Sequence, residues 1–175
     1  MSPRYRFKCN SCGQWHEGIP AWGWNYPLHY HTVPIQERER RCCLTSDTCV
    51  IDDSAFYVCG CLELPVVDSV DILSFRIWVS LSKTNFYEFQ NLLEVATRSS
   101  FGPYFGWLSV PIPTYPDSMN LKTHAHLRDN GIRPLIELEP TDHPLAIEQR
   151  NGVGEARIQE LYAYFENNAN DGSMR

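Results

Sequence analysis

Between residues 56 and 81 hydrophobic and polar positions alternate with a period of two, in two runs. In the first, Phe56, Val58, Leu62 and Leu64 fall on one face and Tyr57, Cys59, Cys61 and Glu63 on the other. In the second, Leu73, Phe75, Ile77, Val79 and Leu81 alternate with Ser74, Arg76, Trp78 and Ser80. Such alternation marks half-buried strands, and the turn begun by Val67-Asp68-Ser69 predicts that the two pair as an antiparallel hairpin. The period then changes. Phe86, Phe89, Leu93 and Ala96 recur at helical spacing, with Asn85 and Glu88 as a capping box, which predicts a helix running to about Arg98 and packed on the sheet. Residues 104–110 read as a further strand, followed by Pro111, Pro113 and Pro116, which force an extended link. Residues 121–128 and 133–139 predict a second hairpin around Asn130-Gly131, the dipeptide that type I′ turns prefer. Asp142-His143-Pro144 opens a short helix that Asn151-Gly152 closes. Ile158, Leu161, Tyr162 and Phe165 mark a last amphipathic helix before a polar, frayed tail.

The first fifty residues follow no such pattern. Trp15, Trp22, Trp24, Tyr26 and Tyr30 crowd a stretch in which Gly18, Pro20, Gly23 and Pro27 prevent long regular elements. Rings so placed can line a groove for a sugar or a peptide, but packing around a small lobe is their commoner use. After Pro34 the run QERERR reads as a solvated helical turn. The expected fold class is therefore α+β: a mainly antiparallel sheet with a packed helix and C-terminal helices, plus a small N-terminal zinc-knuckle lobe. Residues 1–50 would form that lobe, 51–167 the body on which it packs and 168–175 the tail, all in one folding unit.

The candidate chemistry lies at the start, in FKCNSCGQWH. Cys9 and Cys12 flank two residues, and Gly13 lets the backbone turn sharply, so two thiolates can face one tetrahedral Zn²⁺. That is half a site. His16, Cys42, Cys43 and Cys49 are the nearest sources of the other ligands, and the alternative is a turn with two reduced thiols. A thioredoxin-like redox pair fits poorly, because no βαβ pattern surrounds it. Cys59 and Cys61 form a C-x-C pair, but on a strand they stand about 6 to 7 Å apart, too far for a disulfide. Lys122, His124, His126 and Arg128 share a strand face that is either solvated or able to hold an anion.

Composition narrows the partners. The chain has 175 residues, 43% hydrophobic and 13% aromatic, enough for one domain with its own core. A formal net charge of −6 without clustered cations argues against nucleic acid or an anionic membrane as partner. No window reads as a leader or a membrane span, and seven cysteines cannot all pair internally, so a cytoplasmic, reducing setting without structural disulfides is expected.

Five stretches in order, FKCNSCGQWH, SDTCVIDDSAFYV, FRIWVSLS, YFGWLSVPIPTYP and RPLIELEPTDHPLAIEQRNGV, resemble the bacterial family catalogued as domain of unknown function 2199. The resemblance runs from about Phe7 to about Leu161 and implies a family without an activity. It falls on Cys9, Cys12, Gly13, His16 and Cys49, which implies Cys9, Cys12, His16 and Cys49 as the metal ligands ahead of Cys42 and Cys43. At Cys59 the sequence departs from the family, where a basic residue is usual before Gly60. Two functional readings follow. One is a non-enzymatic, zinc-stabilised module whose sheet and aromatic segment bind a partner protein. The other is an enzyme that uses the metal, or Cys49 with His143 and Asp142.

Overall fold

The two alternating runs form the most extensive strand pairing of the structure. The computed structural model describes residues 4–10 and 12–168; the expected frayed tail lies almost wholly outside them. Strand β6 (Ala55–Pro65) pairs antiparallel with β7 (Ile72–Leu81), in register from Phe56 opposite Leu81 to Pro65 opposite Ile72. The chain continues through β8 (Tyr104–Leu108), β9 (Lys122–His126) and β10 (Leu135–Leu138), each antiparallel to the strand before it. β10 then lies parallel to β6, with Leu135 opposite Cys61 and Ile136 opposite Leu62.

Five strands thus close on themselves. The fold is α+β and its sheet mainly antiparallel, as expected, but the parallel pairings of β10 with β6 and of the short β3 (Trp22–Gly23) with β7 make it mixed and barrel-like rather than purely antiparallel. Closure depends on Gly60, because a Cβ there would lie 2.6 Å from the Ile136 side chain and 2.9 Å from the Pro134 carbonyl oxygen. A residue with no side chain lets the two backbones approach.

Extra strands extend this ring. β4 (Cys42–Leu44) and β5 (Thr48–Ile51) continue antiparallel from the first half of β6. β3 (Trp22–Gly23) joins β7 in parallel beside Phe75 and Arg76. Strands from within the first fifty residues therefore belong to the eight-stranded sheet. The separate two-stranded sheet is narrower: β1 (Arg6–Lys8) with β2 (Trp15–Glu17).

Short helices α1 (Leu28–Thr32) and α2 (Ile35–Arg41) link β3 to β4, the second being the helical turn expected of QERERR. The core is built from Val58, Leu62, Leu64, Leu73, Phe75, Ile77 and Val79, none of them exposed. Helix α3 (Lys83–Asn91) adds Phe86 and Phe89, and α4 (Pro144–Asn151) adds Leu145 and Ala146. From α5 (Glu155–Asn167) come Ile158, Leu161 and Phe165. Trp22 stacks on Phe165 at 4.6 Å between ring centroids, and Trp78 donates its indole N–H to the Trp24 carbonyl at 2.9 Å. Two rings of the aromatic-rich segment thus serve the main core.

Helix α3 departs from expectation at both ends. Ser82, the residue after β7, accepts the Asn85 N–H and caps the helix in place of Asn85. The helix stops at Asn91 because Arg98, 2% exposed, reaches back to the chain it would have continued. Its guanidinium donates to the carbonyls of Leu92, Leu93, Arg128 and Ile132 at 2.9–3.0 Å. The β9–β10 turn behaves as its sequence predicts, with Asn130 and Gly131 both at positive φ. Among the described residues no helix is long and apolar enough to cross a membrane.

Candidate metal centre

The β1–β2 hairpin explains how the knuckle is formed. Phe7 stands opposite His16, and Lys8 opposite Trp15. Side chains alternate along a strand, so Phe7 and Cys9 point inward while Arg6 and Lys8 point to solvent. In the connecting loop Cys9 donates its N–H to the Gln14 carbonyl, and Gly13 donates its own to the Cys9 carbonyl, both at 2.8 Å. Gly13 takes φ +71°, the left-handed conformation the turn demands, with open space where a Cβ would stand.

This turn brings Cys12 back over the hairpin. The ligand atoms of Cys9, Cys12 and His16 lie within 4.8 Å of one another, and they are the one such group among the described residues. Cys12 Sγ is 3.3 Å from His16 Nε2. Two donors on a tetrahedral zinc, one sulfur and one nitrogen, are separated by about 3.5 Å. Two thiolates and an imidazole at this spacing can hold a metal ion.

A second layer supports the group from the far end of the chain. Phe7, fully buried, stacks against His16 at 5.4 Å and meets Tyr162 edge-on at 5.3 Å. The Tyr162 hydroxyl lies 3.4 Å from His16 Nδ1, so with Nε2 turned to a metal the other ring nitrogen has its own partner. Burial, and then Glu166 and the two thiols nearby, raises the pKa of Tyr162 above the ordinary phenol value. One turn earlier on α5, Gln159 donates to the Lys8 carbonyl at 2.7 Å and accepts the Asn10 N–H at 3.3 Å. The knuckle is thereby docked on α5.

Cys49 stands apart from the group. It lies in β5, fully buried, opposite Leu44 on one side and Tyr57 on the other. The Ser46-Asp47 turn aims it into the main sheet rather than toward Cys9. Burial pushes its thiol up to about 12, with Cys42 and Cys43 adding to the effect. Cys59 is likewise buried, pushed up to about 12, and set on β6.

The residues of the cysteine-enzyme reading, Cys49, His143 and Asp142, form no such group among the described residues. His143 caps α4, its Nδ1 accepting the Leu145 N–H at 3.2 Å while Nε2 lies 3.2 Å from the Pro116 carbonyl. Both ring nitrogens are thus engaged in structure. The cationic face that begins on β9 is met by carboxylates from the β10 and β6 side. His126 meets Glu137 at 2.7 Å, His124 meets Glu139 at 3.3 Å, and Arg128 meets Glu63 at 2.7 Å.

A family model described as an uncharacterized protein conserved in bacteria matches residues 8–153. The chain belongs to this family, DUF2199. Searches of curated proteins and of solved structures give no match. The DUF2199 match covers Cys9, Cys12 and His16 but stops at Val153. Tyr162 and Gln159, which hold the knuckle in place, lie beyond it.

Neither of those two residues was among the candidates from sequence. The only signal was the polar Gln159 beside the apolar stripe of a terminal helix, which any solvated face would show.

Proposed function

We propose that the chain is a zinc-stabilised, non-enzymatic protein that works in the bacterial cytoplasm by binding a partner protein. The observation that carries this reading is the gathering of Cys9, Cys12 and His16 on a hairpin docked against α5. Thiolate and imidazole donors at tetrahedral spacing favour zinc over the oxygen-seeking cations. The interaction role is supported by apolar surface near the knuckle. Trp15 is 63% exposed at the hairpin. The Tyr5 N–H, bonded to Asp71 at 2.5 Å, ties the base of the hairpin to the β6–β7 turn, which exposes Val67, Val70 and Ile72. The charge of −6 supports a partner other than nucleic acid.

Elemental analysis of protein purified without chelator should return about one zinc per chain, lost in Cys9→Ser with Cys12→Ser. Negligible metal in the native chain sinks the reading. Cross-linking in the native bacterium should capture a partner that Trp15→Ala with Val70→Ser releases; a salt-sensitive shift of duplex DNA at sub-micromolar protein would count against it.

One observation favours a second reading, a metal-dependent enzyme. Three protein donors leave one tetrahedral position for water, as catalytic zinc sites do, whereas structural sites are closed by four. Cobalt substitution separates the two. A visible spectrum that shifts when azide is added places an exchangeable water on the metal and moves the assignment to the enzyme.

A further inference from the structure

Tyr57 on β6 stands opposite Ser80 on β7, and Ser80 stands opposite Trp107 on β8. Residues directly opposite on neighbouring strands share a face, so the three form a row across the outside of the barrel. Helix α1 closes one side of it. Leu28 donates its N–H to the Ser109 carbonyl at 2.9 Å, and His29 stacks on the Tyr57 ring at 5.7 Å. Between them lies a cleft of about 360 Å³ lined by His29, Tyr57, Ser80, Trp107, Ser109 and Asn120.

The polar groups of this cleft are left over from folding. Tyr57 is 5% exposed, yet its hydroxyl makes no hydrogen bond among the described residues. It is also absent from the sealed, unpartnered hydroxyls, which are those of Tyr5, Tyr104 and Thr123, so it opens onto the cleft. The side chains of Ser80 and Asn120 make no hydrogen bond among the described residues either. Groups left open in this way hydrogen-bond solvent, and a ligand whose own polar groups reproduce those bonds displaces it without loss. Beside these groups Trp107 keeps 41% of its surface exposed, with Phe105 edge-on to it at 5.3 Å.

The lining selects the ligand. No Asp, Glu, Lys or Arg contributes to it, and Lys122, opposite Trp107 on β9, is turned to Glu139 at 3.9 Å. A phosphate or a carboxylate would find no lysine or arginine there, and His29 is already stacked on the Tyr57 ring. An acyl chain would cover Trp107 but leave the Tyr57 hydroxyl and the Asn120 amide unmatched. A pyranose satisfies both demands, because one ring face is apolar C–H and its edge carries several hydroxyls that donate and accept.

We propose that this cleft is a binding site for a neutral sugar, whose C–H face lies on Trp107 while its hydroxyls meet Tyr57, Ser80 and Asn120. The site is independent of the metal, since none of its residues belongs to the knuckle.

Saturation-transfer NMR on the full chain tests it with glucose, galactose, N-acetylglucosamine and their β-linked disaccharides, with adenosine as the contrasting probe. At least one neutral sugar should bind saturably. Tyr57→Phe keeps the ring and removes only the hydroxyl, and should weaken binding about tenfold. Trp107→Ala, at an exposed position, should abolish it, with both variants melting as the native chain does. Silence from every sugar overturns the proposal, as does binding undiminished in both variants. Adenosine binding through Trp107 while the sugars stay silent would overturn it in favour of a heteroaromatic ligand.

Discussion

The knuckle hairpin and the β6–β7 hairpin of the barrel are both antiparallel pairs, yet they are held by different physics. The β6–β7 pair contributes Val58, Leu62, Leu64, Leu73, Phe75, Ile77 and Val79, all fully buried, to a closed ring, each worth about 1.5–3 kcal/mol of burial. The β1–β2 pair has three cross-strand positions and one fully buried ring, Phe7. An isolated two-stranded hairpin is marginal in water. The knuckle therefore depends on what is tied to it: the Cys9, Cys12 and His16 group on one side, Gln159 and Tyr162 on the other. A lobe with so little core has most to gain from a metal cross-link.

The sharpest way to break this comparison is to remove the metal. Structural zinc contributes on the order of 10 kcal/mol of apparent binding energy in small peptides, enough to order a hairpin of this size. After a strong chelator, hydrogen exchange at the Cys9 and Gly13 amides should rise by roughly a thousandfold or more, while amides of the β6–β7 pair stay protected. Trp15 is a poor reporter of this event, because it is already 63% exposed. Unchanged exchange at Cys9 would show that Gln159 and Tyr162 hold the hairpin by themselves.

The opposite cut falls on the body. Arg98→Ala leaves the carbonyls of Leu92, Leu93, Arg128 and Ile132 without their buried donor, and several lost bonds of this kind sum to about 3–5 kcal/mol. The urea midpoint of the whole molecule should fall, with zinc stoichiometry unaltered. A variant that loses zinc first would mean that the two regions are not separable.

What could be read in advance follows the same division. Alternation at 56–81 and at 121–139 reported strands, because burial on one face leaves its mark on successive residues. Closure of the barrel left no such mark: the parallel contact of Ile136 with Leu62 depends on strand order, and only Gly60 hints that a second backbone approaches. In the knuckle, C-x-x-C with glycine after it and His16 close by were legible because the ligands are local. The fourth choice, Cys49, rested on family resemblance and nearness in sequence, and its pairing with Tyr57 shows why neither suffices. Tyr162 and Gln159 are about 150 positions from the residues they touch, beyond the reach of any spacing rule. The cap at Ser82 was missed for a simpler reason, since a serine ending a strand looks like part of that strand.

A finer test asks how the two regions communicate through α5. Tyr162→Phe keeps the ring that packs on Phe7 and removes the oxygen near His16 Nδ1. Loss of such an outer partner lowers metal affinity by about 10–100-fold, while barrel stability should change by less than about 1 kcal/mol. Competition with a chromophoric chelator measures the first and urea denaturation the second. Equal affinity in both proteins would leave the hydroxyl with no part in holding the imidazole.

The smallest effect lies in the acid limb of the barrel's stability. Asp129 accepts the backbone N–H groups of Ser99 and Arg98 at 2.8 and 2.7 Å, and these bonds hold its carboxyl below the ordinary aspartate value. A carboxyl with a lowered folded-state pKa binds its proton more readily in the unfolded chain. Its contribution is therefore complete above the unfolded value, near pH 4, and is lost as the pH falls through the lower folded one. The urea midpoints of the native chain and Asp129→Ala should differ most at neutral pH and draw together below about pH 4. The knuckle should contribute nothing to that convergence, so chelator-treated protein must show the same narrowing. A gap that stays constant from pH 7 to pH 3 would assign the value of Asp129 to its shape as an acceptor rather than to its charge.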